Sequence, residues 1–409
     1  MFDPMGQGER LQYPDGEGES VFGPGPTYPS TKEHNAMDRQ MALTGDWIGR
    51  WFAWDGIRAL DVLLHQEEVD PGRIGVTGVS GGGTMTAYAV ACDSRVTMSA
   101  PCCWVTNWYH NGINEEPQDA EQCPPGVLAA GLEQSDLLLA RAPNPVILLT
   151  EEQDFFDQRG ALLDLPDRNG PPDYRILRPW NDRGYARPNA NQFVLETEPE
   201  YGAQAVVTKL EDERRTSRPL PGDGPALLYV PHISSDGELW EDGRIRRLEA
   251  ENPTFFACDY RGVGESRPDT CRPGSFFHMY GSDYHYASYA TMLGDSYVSW
   301  RVHDVLCTLD WMASFGYDRV HLVAQGWGTV PGALAALLEE RVRQVTLIHA
   351  PLSYSILAEA PMQEWPHSAM LPGVLREFDL PDLYRELERK DLRMIEPWDA
   401  DMGSMSRPT

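Results

Sequence analysis

The sequence predicts an α/β fold made of two similar units, each a mostly parallel sheet flanked by helices. Short β-rich runs alternate with helical patterns, which is typical of parallel sheets covered on both faces. The segment 45–63 also recurs without a gap as 294–312, with apolar residues at helical spacing in both copies. Residue 2 already stands at the end of the first recognisable strand, so we expect the first unit to be truncated at its N-terminus.

Three segments are predicted along the chain. Residues 1–165 form the first unit, residues 166–190 form an irregular linker rich in Pro, Gly, Asp and Arg, and residues 191–409 form the second unit. The second unit is expected to begin with strands at 192–198, 204–210 and 226–230.

Composition excludes several classes of protein. The 409 residues carry a formal net charge of −28, which disfavours nucleic acids and anionic membrane surfaces as partners. The sequence has no apolar run long enough for a membrane-spanning helix, and its first residues lack the pattern of a signal peptide. Seven cysteines without C-x-x-C spacing predict neither a disulfide scaffold nor a zinc site.

A candidate nucleophile lies in residues 78–82, which read Gly-Val-Ser-Gly-Gly. The pentapeptide follows a predicted strand at 74–77 and precedes a predicted helix at 84–92, the context that a nucleophilic serine turn requires. We expect Ser80 to be the nucleophile and the Gly81 N–H to be an oxyanion donor. No Lys-Ser/Thr follows the glycines, which excludes a phosphate-binding loop.

A serine nucleophile needs an orienting acid and a base, in the chain order Ser, Asp or Glu, His. Asp154 is the preferred acid because it follows a predicted buried strand at 145–150, while Asp157 is an alternative that fits a turn cap better. No histidine lies between Asp154 and His232, which belongs to the second unit. His34 and His110, which we place in loops near the serine, are the remaining candidates for the base.

The second unit repeats the turn without the nucleophile. Residues 324–328 read Ala-Gln-Gly-Trp-Gly, and Gly326 aligns with Ser80. Glycine has no nucleophilic atom, so this turn cannot form an acyl-enzyme.

Several segments resemble bacterial acetylxylan-esterase-like hydrolases, which are related to prolyl-oligopeptidase-type α/β-hydrolases. The segments are 3–10, 54–58, 78–84, 118–122 and 154–160. The resemblance covers most of 1–160 and, less distinctly, 190–409. It implies tandem α/β-hydrolase-like units, the second degenerate, and an exported bacterial protein. It also implies deacetylation of sugar esters by a Ser-Asp-His triad onto which Ser80 and Asp154 map, whereas the family's histidine maps onto no residue here.

The leading expectation is hydrolysis of carboxylic esters through an acyl-enzyme on Ser80. The expected partner is a small ester or acetylated carbohydrate, with no cofactor, metal, nucleic acid or membrane, and a homo-oligomer stays open. One alternative is a catalytically inactive hydrolase fold that binds carbohydrate or protein. Another is a serine peptidase of the same fold, which the sequence does not separate from an esterase.

Overall fold

The computed structural model describes residues 2–23, 28–113, 118–149, 172–177, 180–181, 183–213, 222, 224–268 and 281–402. Its helices are α1 (Tyr28–Leu43), α2 (Ile48–Leu64), α3 (Gly81–Cys92), α4 (Trp108–Ile113), α5 (Gln134–Leu139), α6 (Ser235–Glu241), α7 (Gly243–Glu251), α8 (Ser282–Met292), α9 (Tyr297–Ala313), α10 (Thr329–Leu338), α11 (Tyr354–Glu359) and α12 (Leu380–Leu387). Its strands are β1 (Gly75–Val79), β2 (Met98–Cys102), β3 (Tyr174–Ile176), β4 (Trp180–Asn181), β5 (Asn189–Glu198), β6 (Ala203–Glu211), β7 (Pro225–Val230), β8 (Phe255–Asp259), β9 (Arg319–Gln325), β10 (Val342–Ile348) and β11 (Leu392–Ile395).

The chain forms two compact units, and neither is continuous in sequence. The first comprises Met1–Asp164, Thr270–Ser296 and Pro366–Gly373, and the second comprises Leu165–Asp269, Tyr297–Trp365 and Val374–Thr409. Chain order alone assigns 270–296 and 366–373 to the second unit. Contacts group α8 with the first unit because Met292, at the end of α8, packs in one apolar cluster with Trp108, Cys123 and Val127.

The first unit is built on a small parallel sheet. β1 and β2 pair from Gly75 with Met98 to Val79 with Cys102, and α3 connects them. The segment that follows α5 continues the sheet through parallel bridges at Val146 and Leu149. The expectation of a buried strand at 145–150 is wrong for its side chains, because Ile147, Leu148 and Leu149 are 54%, 53% and 43% exposed.

The second unit has a larger, mixed sheet. Its strand order is β11-β10-β9-β7-β8-β6-β5-β3, with β4 beside β5. The strands from β11 to β8 run parallel, whereas β6, β5 and β3 are antiparallel to their neighbours. The predicted parallel character therefore holds for only part of this sheet. Every residue of β8 is buried, and β7 is buried after its first residue, as expected for central strands covered on both faces.

The prediction that residues 166–190 form an irregular linker is wrong for part of the segment. It contains β3 and β4, which pair with β5 in antiparallel register. Tyr174 of β3 packs edge-on against Phe193, Trp311 and Phe315. The position of β3 is thus fixed by contacts with residues distant in the sequence.

The same local contacts occur in both units. In each, an arginine before or at the start of a strand binds two carboxylates, one of which lies on the preceding long helix. The groups are Arg95 with Asp61 and Asp93, and Arg341 with Asp310 and Glu339.

A second recurring arrangement is a tight turn that packs a glycine against an aspartate. A Cβ on Gly8 would lie 2.6 Å from Cγ of Asp3, and a Cβ on Gly264 would lie 2.6 Å from Oδ1 of Asp259. Both glycines have positive φ, 55° and 51°. These two positions require glycine for steric reasons as well as for backbone conformation.

Candidate active site

Ser80 lies on a sharp turn between β1 and α3. Its backbone has φ 55° and ψ −116°, a conformation that costs a non-glycine residue about 1–3 kcal/mol and is concentrated at functional sites. The turn is held by the Ser80 N–H, which donates to the Cys102 carbonyl at 2.9 Å. The Ser80 carbonyl accepts from the N–H groups of Gly83 and Thr84 at 2.7 and 3.1 Å. The side chain is exposed, so a substrate can reach it.

Glycines around the serine allow the backbone segments to approach each other. A Cβ on Gly78 would lie 2.5 Å from the carbonyl carbon of Gly82, and a Cβ on Gly83 would lie 2.6 Å from Cβ of Trp104. Either side chain would force the turn open. The glycine-rich pattern that identified the turn in the sequence is therefore a packing requirement.

The Gly81 N–H is placed as an oxyanion donor would be. Gly81 is the first residue of α3, so its N–H has no acceptor within the helix and lies at the positive end of the helix dipole. Gln7, a residue that sequence reasoning missed, brings a second donor close. Its Nε2 lies 4.0 Å from the position that a Cβ on Gly81 would take. The glycines at 6 and 8 signal a turn there, but no sequence spacing connects residue 7 with residue 81.

Asp154 and Asp157 lie outside the described residues. The structure does describe the segment that leads toward them, where the Leu149 N–H donates to the Pro101 carbonyl at 3.1 Å and the Leu149 carbonyl accepts from the Cys103 N–H at 2.8 Å. Leu149 therefore stands beside the carboxyl end of β2. This is the end of a parallel sheet at which catalytic groups collect.

His34 lies in α1 and not in a loop, which corrects the sequence analysis. Its ring is fully buried, its Nδ1 is 3.0 Å from Oε2 of Glu121, and it contacts Phe52 edge-on at 4.9 Å. Burial is the largest single effect and lowers the pKa of His34, but the charge and hydrogen bond of Glu121, with Asp119 and Glu33, together raise the pKa above its ordinary value. Its Nε2 has no hydrogen-bond partner among the described residues and lies near Gly6, 3.3 Å from where a Cβ would stand.

His110 also lies in a helix, α4, and not in the predicted loop; its side chain is not among those that the structure describes. His65 and His285 of the first unit have their own partners, the carbonyls of Asp61 and Gly112 at 2.6 and 3.3 Å. Among the described side chains, no imidazole is hydrogen-bonded to Ser80.

The turn of the second unit has the same backbone form but is filled by a histidine. Gly326 has φ 50°, close to that of Ser80. His232, which follows β7, accepts the Trp327 N–H on its Nδ1 at 3.1 Å. A Cβ on Gly326 would lie 2.7 Å from Cγ of this ring. The N–H that corresponds to the Gly81 donor therefore already has an acceptor from within the protein.

The protonation state of His232 agrees with its role as the acceptor of the Trp327 N–H. Burial lowers the pKa of His232 to about 3, with a smaller contribution from His349, so the ring is neutral near pH 7. The ring contacts Trp327 and Trp398 edge-on, with centroids 4.8 and 5.5 Å apart. A neutral ring can accept at Nδ1, as the contact with Trp327 requires.

The part of the chain that the structure describes contains no group of three or more His, Cys, Asp or Glu side chains arranged to hold a metal ion. Within the same residues, no helix is long and apolar enough to cross a membrane.

Comparison with known proteins assigns the fold. Residues 225–390 match the family model described as alpha/beta hydrolase fold. The chain therefore has the α/β-hydrolase fold, as the sequence predicts, and the family pattern is carried by its second half.

One curated relative, "Putative hydrolase YtaP" of Bacillus subtilis (strain 168), is 32% identical over 72 residues, which are 18% of this chain and 24% of that protein. The chain thus matches about a quarter of the length of this relative. Among solved structures, a "putative acetyl xylan esterase" from Bacteroides fragilis NCTC 9343 is 14% identical with a TM-score of 0.41, covering 56% of this chain and 63% of that one. The acetyl xylan esterase from Paenibacillus sp. R4 is 18% identical with a TM-score of 0.34, covering 54% and 69%. Similarity at this level says nothing about a substrate.

Proposed function

We propose that the first unit is a serine hydrolase of carboxylic esters and that Ser80 is its nucleophile. The observation that carries the proposal is the exposed Ser80 side chain on a strained strand-to-helix turn, directly before the Gly81 N–H, which has no acceptor within α3. That combination places an attacking oxygen next to a donor for the charge that develops on the ester carbonyl.

The reaction follows from these atoms. Ser80 Oγ forms a bond to the ester carbonyl carbon as its proton passes to solvent water, and the carbonyl oxygen becomes an oxyanion facing the Gly81 N–H. The oxyanion then re-forms the carbonyl as the C–O bond to the alcohol breaks, the alcohol takes up a proton from water, and the acyl group stays on Ser80. Water attacks the acyl-enzyme in the reverse sense and releases the carboxylic acid.

Two further residues complete the proposed site. Asp154 is the orienting acid, on the strength of its place after the segment that pairs with β2. Gln7 is the second oxyanion donor, supported by the approach of its amide to Gly81. The resemblance of the sequence to acetylxylan-esterase-like hydrolases favours acetyl esters of carbohydrate as substrates. The second unit, with Gly326 blocked by His232, is then a degenerate copy in a tandem arrangement.

Hydrolysis of p-nitrophenyl acetate tests the proposal. We expect slow, Ser80-dependent release of p-nitrophenol, because loss of one triad member costs several powers of ten in rate and leaves the oxyanion and binding effects. Mass spectrometry of quenched protein should find an acetyl group on the peptide containing Ser80. Equal rates in the wild-type protein and in Ser80→Ala would refute it.

The role of Gln7 has its own test. Gln7→Ala should lower the acylation rate by about 10²–10³-fold, the usual cost of one oxyanion donor. Gln66→Ala is the matched control, because that exposed amide donates to the Val62 carbonyl just after α2. An acylation rate in Gln7→Ala equal to that of the control would remove Gln7 from the site.

A non-catalytic binding protein is the second candidate. It is favoured by the finding that no described imidazole is hydrogen-bonded to Ser80. A folded protein that shows neither acetylation of Ser80 nor labelling by a fluorophosphonate would support this alternative over the esterase.

A further inference from the structure

A cluster of polar side chains stands at the carboxyl ends of two parallel strands in the second unit. His349 follows β10, Glu396 follows β11, and His349 Nε2 lies 3.2 Å from Glu396 Oε2. Arg244 donates to the same carboxylate oxygen at 3.0 Å. Open α/β sheets bind ligands at the carboxyl ends of their strands.

The backbone at this cluster is strained. His349 has φ 59° and Glu396 has φ 46°. Non-glycine residues in this region cost about 1–3 kcal/mol each and persist where the surroundings impose them, often at ligand sites. Here the His349 ring is held flat against Trp398, with centroids 4.5 Å apart and an interplanar angle of 10°. The orientation of the imidazole is therefore fixed before any ligand arrives.

The cluster opens onto a cavity of about 610 Å³. Its lining includes Asp242, Arg244, Arg247, Leu248, Glu251 and His349. The volume is in the range of small-molecule sites. None of the residues proposed for ester hydrolysis contributes to it.

The polar groups of the cavity have unused hydrogen-bonding capacity. Arg247 is exposed and makes no ion pair with any described residue. The Nδ1 atom of His349 is buried and has no hydrogen-bond partner among the described residues. Buried polar atoms without partners are uncommon in folded proteins and mark places where water or a ligand binds.

We propose that this cavity binds a small monocarboxylate, held by the guanidinium groups of Arg247 and Arg244 beside the fixed ring of His349. Guanidinium groups match a carboxylate in geometry and charge, and Arg244 already binds one in Glu396. Asp242 and Glu251 in the same lining repel a dianion more strongly than a monoanion. This charge balance favours a carboxylate over a phosphate. The site is independent of the proposed ester hydrolysis.

The test uses the full chain and acetate as the probe, with binding followed by saturation-transfer NMR. Acetate should bind, acetamide of the same shape should not, and Arg247→Gln should weaken acetate binding by about tenfold or more, the loss of one charge-assisted contact. Arg389→Gln, at an exposed arginine paired with Glu386 in the same unit, is the matched control.

A second variant should strengthen acetate binding. Glu396→Gln keeps a side-chain oxygen for His349 but removes the charge that competes for Arg244, so acetate should bind several times more tightly. Equal binding of acetate and acetamide would overturn the proposal, as would unchanged affinity in Arg247→Gln or weaker affinity in Glu396→Gln. Tighter binding of inorganic phosphate than of acetate would also overturn it.

Discussion

Replacing Gly326 with alanine should destabilise the second unit by about 2–5 kcal/mol. At φ 50° an L-residue costs about 1–2 kcal/mol relative to glycine. The added Cβ would lie 2.7 Å from Cγ of His232 and 3.1 Å from its Cβ, so the ring has to move. Movement separates Nδ1 from the Trp327 N–H, and a buried donor that loses its acceptor costs about 1–3 kcal/mol.

The two contributions can be separated with a second substitution. In a His232→Ala background the ring and the hydrogen bond are already gone and only the Cβ contact at 3.1 Å remains, so Gly326→Ala should cost little more than the backbone part, about 1–2 kcal/mol. The difference between the two backgrounds is the coupling energy of the filled turn.

Amide hydrogen exchange of the peptide covering 319–330, with urea unfolding as a global check, measures these costs. Gly82→Ala is the matched control, since a Cβ there meets open space at the start of α3. If Gly326→Ala lowers the free energy of unfolding equally with and without His232, the ring of His232 does not fill this turn.

Two other predictions follow from buried or strained groups. Ser80→Gly should be more stable than Ser80→Ala by about 1–3 kcal/mol in thermal unfolding, because glycine relieves the strain at positive φ whereas alanine keeps it. Equal stabilities would contradict the strain. Burial raises the pKa of Asp38 from 3.8 to about 7, so the folded state holds a proton that the unfolded chain has lost, and stability should fall as pH rises from about 4 to about 7. Asp38→Asn keeps an acceptor for the Ile48 N–H, which Asp38 accepts at 3.0 Å. This variant should flatten the fall of stability with pH, measured as the urea midpoint at each pH. An unchanged slope would exclude Asp38 as its source.

The geometry of the strand-to-helix turns at Ser80 and Gly326 could be predicted because its causes are local. A β-rich run, a glycine-flanked turn and a helical run are adjacent in the sequence, and only a few backbone conformations connect them. Ser80 and Gly326 accordingly lie on the turns that the sequence indicates. The filling of the second turn was not predictable, because His232 precedes Trp327 by 95 residues and meets it only when β7 and β9 pair.

The placement of His34 in a loop was wrong for a different reason. The helix α1 buries polar residues, among them Glu33, His34, Asn35 and Asp38. Their partners come from other segments, such as Glu121 for His34 and the Ala120 N–H for Asn35. These buried polar residues interrupt the apolar positions of the helix, so its apolar periodicity is weak. The stretch therefore reads as a solvated loop in the sequence.

The discontinuous first unit leads to a prediction about fragments. The segment 1–165 follows the boundary expected from the sequence but lacks α8, whose Tyr284 donates to the Gln118 carbonyl at 2.9 Å. Met292, fully buried with Trp108 and Cys123, is lost as well. Each of these side chains contributes about 1.5–3 kcal/mol by burial, a large part of the 5–15 kcal/mol that holds a typical domain.

The open edge of β1 should reduce the stability of the isolated fragment 1–165 further. Val79 is 64% exposed, and β1 pairs only with β2 among the described strands, so its other edge offers unpaired N–H and C=O groups. We therefore expect isolated 1–165 to show little amide protection in hydrogen exchange, or protection only at concentrations where it associates. Joining residues 281–296 to it by a flexible linker should restore part of the protection around α4. Strong, concentration-independent protection of 1–165 alone would show that α8 is not needed and that chain order gives the true boundary of the unit.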